Sequence, residues 1–174
     1  MRRSKQAVYA LAISGLAAAA CLVLITILAN RDSSGVSKSS GAGGVGVLEP
    51  DRGSGHVDGP RTPASPPDDP PTSGPHRPEK VTRDQVALSD DQLLEALHLG
   101  NVVFAYDGSA AELKKIQDEV SGPFDPELAA AGQAVILDKR PGVKGTIALA
   151  WRRELRSDDP AQLREFADAW LGQG

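Results

Sequence analysis

The chain has 174 residues, a formal net charge of −4 at pH 7 and a single cysteine. One cysteine excludes an intramolecular disulfide, so any folded domain is held by packing and polar contacts alone. The acidic balance, steepest in residues 80–174, excludes a nucleic-acid surface, which needs a concentrated positive footprint.

In chain order, Arg2, Arg3 and Lys5 precede an uncharged run from Ala7 to Ala29. As a helix rising about 1.5 Å per residue it reaches roughly 34 Å, enough to cross a hydrocarbon core of about 30 Å. The positive-inside bias puts residues 1–6 in the cytoplasm and residues 31–174 outside, a single-pass topology in the cell membrane. Three fates compete for residues 7–29. A cleavable signal has an apolar region of about 7–15 residues and a small-x-small site. The run here is longer, and Ile27-Leu28-Ala29 puts a bulky residue where a small one is wanted. A later site near Ser40-Gly41-Ala42 stays open. Lipid attachment at Cys21 conflicts with the apolar stretch Leu22 to Leu28 that follows it. The uncleaved signal-anchor is the fate these features fit best.

Residues 31–79 change character: Gly, Pro and Ser fill 26 of 49 positions. Residues 30–54 read as a flexible Gly/Ser-rich linker, and residues 55–79 as a stiffer Pro-rich segment inclined to polyproline II. Six of the seven aromatic residues fall between Phe104 and Trp170, which marks residues 80–172 as the globular core.

Within the core, Ser89 and Gln92 form a capping-box pair, Leu93, Leu94 and Leu97 give an apolar helix face, and Gly100 stops the helix. Asn101–Tyr106 reads as a buried strand. Ser109 and Glu112 suggest a second capping box, followed by Leu113, Ile116 and Val120 at helical spacing. Gly122-Pro123 and Asp125-Pro126 break that helix. Ala134–Asp138 is a second strand and Gly145–Leu155 a third, with Ile147, Leu149 and Trp151 on one face. Asp159 and Pro160 open a last helix lined by Leu163, Phe166 and Trp170. The expected fold is α/β (α+β): a small two-layer sandwich of about three strands in a mixed sheet, helices mostly on one face. The second strand is expected parallel to the first through a right-handed crossover, with the third antiparallel beside the second.

Signals for catalysis are sparse. Ser73 lies near His76, but no Gly-x-Ser-x-Gly elbow surrounds it, and Gly41 to Gly46 precedes no helix as a phosphate loop would. The three histidines, His56, His76 and His98, are the remaining candidates, and two of them sit in the Pro-rich segment rather than the core.

The run Pro70-Pro71-Thr72-Ser73-Gly74-Pro75-His76 resembles the signature of the bacterial domain of unknown function 3105 (DUF3105) family. His56-Val57 precedes His76 at a spacing close to that of a His-Val pair in the family. Leu97–Tyr106, Arg140-Pro141-Gly142, Trp151 and Phe166 are similar to later family segments, so the resemblance covers residues 55–172. It implies a histidine cluster able to bind copper or zinc, with His56 and His76 joined by Glu95 and His98 on one helix face. The chain departs from the family's His-x-x-Glu-His helix. Glu95 and His98 stand where the family has His and Glu, and Leu99 stands where it has the second His. The plainer reading of His98 is a helix residue favoured near a C-terminus by the macrodipole.

Two functions follow as expectations. The first is a non-enzymatic, membrane-anchored extracytoplasmic module that binds a ligand or protein partner at the cell surface. The second is a transition-metal-binding protein, or a metal-dependent enzyme, built on His56, His76, Glu95 and His98.

Overall fold

The computed structural model describes residues 45–60 and 63–174. The expected tail at 1–6 and membrane helix at 7–29 lie outside the described residues. Among the described residues, no helix is long and apolar enough to cross a membrane.

In chain order the elements are β1 (Val47–Leu48), α1 (Asp90–Leu99), β2 (Val102–Tyr106), α2 (Ala111–Val120), α3 (Pro126–Ala130), β3 (Val135–Lys139), β4 (Thr146–Ala150), β5 (Arg153–Arg156) and α4 (Pro160–Trp170). Among the described residues the fold is mixed α and β, with four helices and one sheet of five strands in the order β1-β5-β4-β2-β3. The sheet therefore has five strands rather than the expected three. β2 and β3 run parallel, as the crossover through α2 and α3 requires, and every other pair is antiparallel.

The expected third strand divides at Trp151-Arg152. Arg152 has φ 58°, a left-handed turn conformation, and the chain doubles back there as the hairpin β4–β5. β4 also sits beside β2 instead of β3, with Phe104 opposite Ala148. β2 is consequently central and buried at every position from Val102 to Tyr106.

A central strand needs cover on both faces, and it has it. Val103, Ala105, Ile136, Ile147 and Leu149 pack on one face with Leu93 and Leu97 of α1 and Ala129 of α3. Val102, Phe104, Leu137 and Ala148 pack on the other with Leu113 and Ile116 of α2 and Leu163 and Phe166 of α4. Helices cover both faces, so the architecture has three layers rather than the expected two.

Local signals explain most boundaries. The Ser89 hydroxyl accepts from the Gln92 N–H at 3.2 Å, and the Gln92 side chain accepts from the Ser89 N–H at 3.1 Å, closing the expected box. Gly100 ends α1 at φ 106°, where a side chain would be strained. The second box does not form: Ser109 Oγ accepts from Ala111 at 3.3 Å, one residue early, and Glu112 pairs with Lys115 at 2.6 Å. Asp125-Pro126 begins a helix instead of only ending one. Asp125 accepts from the Glu127 N–H at 2.8 Å, and Pro126 holds the first position of α3.

The described end of the expected linker belongs to the domain. Val47 and Leu48 pair with Glu154 and Arg153, and Trp170 Nε1 donates to the Val45 carbonyl at 2.7 Å. At the opposite edge, Gln85 N–H donates to the Leu137 carbonyl and Lys139 N–H to Val86, covering β3.

Candidate metal centre

The Pro-rich signature is a clamp that places two histidines side by side. Thr72 is buried and its carbonyl accepts from the Arg152 N–H at 2.9 Å, which fastens the segment to the β4–β5 turn. The buried Ser73 hydroxyl donates to the Pro50 carbonyl at 3.0 Å and accepts from the Arg52 N–H at 3.1 Å. Those two bonds lay residues 50–52 against the signature. A short parallel bridge then pairs His56 with His76. Val57 N–H donates to the His76 carbonyl at 3.0 Å, and His76 N–H donates to Gly55 at 3.2 Å. Paired residues in a ladder project to the same side, so both imidazoles face α1.

α1 supplies the other two groups. Glu95 and His98, three residues apart, share a helix face in its last two turns. The four side chains converge: their ligand atoms all lie within 4.8 Å of one another. The imidazole centroids form a near-equilateral triangle of 5.2, 5.4 and 5.6 Å, with rings 72–87° apart. Glu95 Oε2 is 3.0 Å from His56 Nε2 and 3.1 Å from His76 Nε2. His98 is thus part of the cluster and not merely a helix-terminal residue, whereas Leu99 lies outside it, half exposed.

The orientation of His76 decides what the cluster can do. Its Nδ1 is 2.8 Å from the Gly74 carbonyl, which only accepts, so Nδ1 carries the proton. In the neutral ring, Nε2 then presents its lone pair to the Glu95 carboxylate. Two acceptors at 3.1 Å repel unless a proton or a metal ion sits between them. Imidazole ligated through one nitrogen with the other N–H given to a carbonyl is the usual outer-shell arrangement of a metal-binding histidine. Burial lowers the His98 pKa from its ordinary value; His76 and His56 lower it further, and Glu95 opposes them. The neutral, ligating form of His98 is favoured.

Trp151 closes one side. Its ring lies 5.0 Å from His98 and 6.2 Å from His76. The family resemblance includes this tryptophan, but its alternation with Ile147 and Leu149 placed it only on a strand face and not beside the histidines. The clamp roles of Thr72 and Ser73 were equally hidden, although both lie inside the quoted signature.

Residues 60–173 match the DUF3105 family, whose description is a protein of unknown function. The chain belongs to this family. No curated protein and no solved structure matches it. In this DUF3105 chain, the run from Pro70 to His76 presents His76 and holds the segment that carries His56.

Proposed function

We propose that this DUF3105 protein is a transition-metal-binding module for zinc or copper(II), carried outside the cytoplasmic membrane by a signal-anchor at residues 7–29. The observation that carries the reading is the convergence of His56, His76, Glu95 and His98 with the His76 Nδ1–H committed to the Gly74 carbonyl. Three imidazoles and a carboxylate suit zinc and copper(II), and the cluster contains no soft thiolate. Donors about 2.0–2.2 Å from zinc stand about 3.4 Å apart in a tetrahedron, so a pair within the 4.8 Å limit closes by at most about 1.4 Å on binding.

Four protein donors fill a tetrahedral site. That supports binding rather than metal-dependent hydrolysis, which keeps a position for water. The apolar run and its cationic flank support the location, and the Gly/Ser-rich stretch supports reach away from the bilayer.

The test is metal analysis of the purified full-length chain, in detergent, beside His76→Ala. Close to one zinc or copper per chain, absent from the variant, is expected. A wild-type chain that retains neither metal after addition and desalting overturns the reading. The location is tested separately: protease added to intact cells reaches residues 45–174 if they are outside, and spares them if the topology is inverted.

A further inference from the structure

Resting on the metal-binding reading, we propose that His56 is the exchange ligand. The ion enters and leaves by lifting of the strap at residues 50–60, while His76, Glu95 and His98 stay in place as a fixed three-donor cup.

The four donors are held very unequally. The His76 side chain is 0% exposed and that of Glu95 11%, but that of His56 is 49% exposed. Glu95 and His98 ride on α1, whose ends are capped by Ser89 and Gly100 and whose Leu93 and Leu97 are in the core. Every residue from Pro50 to Pro60 is exposed, so the strap anchors no apolar side chain in the domain. Its attachments are polar: the two bonds to Ser73, the His56–His76 bridge, the contact of His56 Nε2 with Glu95 at 3.0 Å, and an exposed pair between Asp51 and Arg152 Nη1 at 3.2 Å. Solvent-facing hydrogen bonds without apolar burial behind them are the contacts that open locally, well short of global unfolding.

The strap therefore has one strong reason to stay down, which is ligation of the ion by His56. Removing it leaves three donors and an open position, which an incoming chelating group can occupy. Binding to the closed form shifts the strap equilibrium by mass action, so ion and closure stabilise each other.

Arg52, inside the strap and followed by Gly53, reports on opening, because trypsin cleaves only the lifted segment. The full-length chain is treated with trypsin with and without one equivalent of zinc, and the cut after Arg52 is timed by mass spectrometry. Zinc is expected to slow that cut at least about tenfold in the wild-type chain, since cleavage follows the open population. His56→Ala is expected to bind zinc more weakly, to show no protection at Arg52, and to surrender its ion to a competing chelator at least about tenfold faster. Equal cleavage with and without bound zinc in the wild-type chain overturns the proposal and leaves the metal site standing. Release from His56→Ala at the wild-type rate also overturns it. A wild-type chain that binds no ion overturns both readings. Should His56→Ala fail to fold, the wild-type comparison decides alone.

Discussion

Asn101 and Ala134 are joined by a 2.9 Å bond from the Ala134 N–H to the Asn101 side-chain oxygen, and the same side chain donates to Ala96 at 3.0 Å and to Ala129 at 2.8 Å. One buried amide thus ties the end of α1 to α3 and to the entry of β3. Replacing it with alanine leaves the buried Ala134 N–H without its partner, while the Ala96 and Ala129 carbonyls keep the backbone N–H groups of Asn101 and Gly132. Asn101→Ala is expected to cost about 1–3 kcal/mol, read as a lower urea midpoint at unchanged m-value. A loss below about 0.5 kcal/mol, the level of a surface change, contradicts this assignment.

Arg140 ties the Pro-rich segment to the core, donating to Asp138 at 3.1 Å, to Asp90 at 3.0 Å and to Ser65 at 3.1 Å. Despite that cation, burial raises the Asp138 pKa above 3.8; the Leu88 N–H and Arg140 oppose the rise and Asp90 adds to it. The folded state thus holds the Asp138 proton more tightly than the unfolded chain does. The stability this group contributes is present below the unfolded value and is lost as pH rises through the folded one. The urea stability of the wild-type chain minus that of Asp138→Asn is expected to decline as pH rises from the ordinary carboxylate value through the raised folded one. A difference that grows with pH would put the ion pair ahead of burial.

Much of this was legible because local chemistry decided it. Ser89 with Gln92, Gly100, Asp159 with Pro160 and the Leu163/Phe166 face each act within a few residues, and each stands where the pattern put it. What was missed depends on partners distant in sequence. β4 reads the same whether it lies beside β2 or beside β3, since Ile147 and Leu149 reach one core in either case. Arg152 carries no mark of the left-handed turn that divides the strand, because arginine seldom adopts it. Helices on both faces follow from the central place of β2, and that follows from pairing, which alternation along one strand does not encode.

The candidate metal site was legible as chemistry but not as geometry. His76 was identifiable from the signature, His56 from its His-Val pair, and Glu95 and His98 from the resemblance and their helix spacing. Their convergence depends on the Ser73 clamp and the His56–His76 bridge, which link segments about twenty residues apart. Leu99 in place of a second helix histidine pointed away from a site, yet His56 and His98 complete the donor set without it.

Trp151 offers an optical readout of occupancy, since its ring stands 5.0 Å from that of His98. Trp170 lies under Arg153, with the guanidinium 4.5 Å from its ring centroid, and would contribute a background signal. In a Trp170→Phe chain, copper(II) is expected to quench most of the remaining fluorescence with a sharp break at one equivalent, while zinc changes it far less. Quenching that rises gradually over many equivalents would mean surface binding, and none of it would come from the four-donor cluster.

Ser73 is the residue through which strap and signature meet, and its removal separates local from global stability. The bonds lost in Ser73→Ala end on Pro50 and Arg52, both exposed, so water replaces the missing hydroxyl at those groups. The global cost is expected to be about 1 kcal/mol, the net worth of a typical hydrogen bond. The same free energy applied to the strap alone raises its open population about fivefold, by the tenfold-per-1.4-kcal/mol relation. Metal-free Ser73→Ala should therefore be cut after Arg52 about fivefold faster than the wild-type chain, with a urea midpoint only slightly lower. Zinc should restore protection in this variant, because His56 is still present to hold the strap. A large fall in the urea midpoint with no change at Arg52 would make Ser73 a core residue and remove its role in the strap.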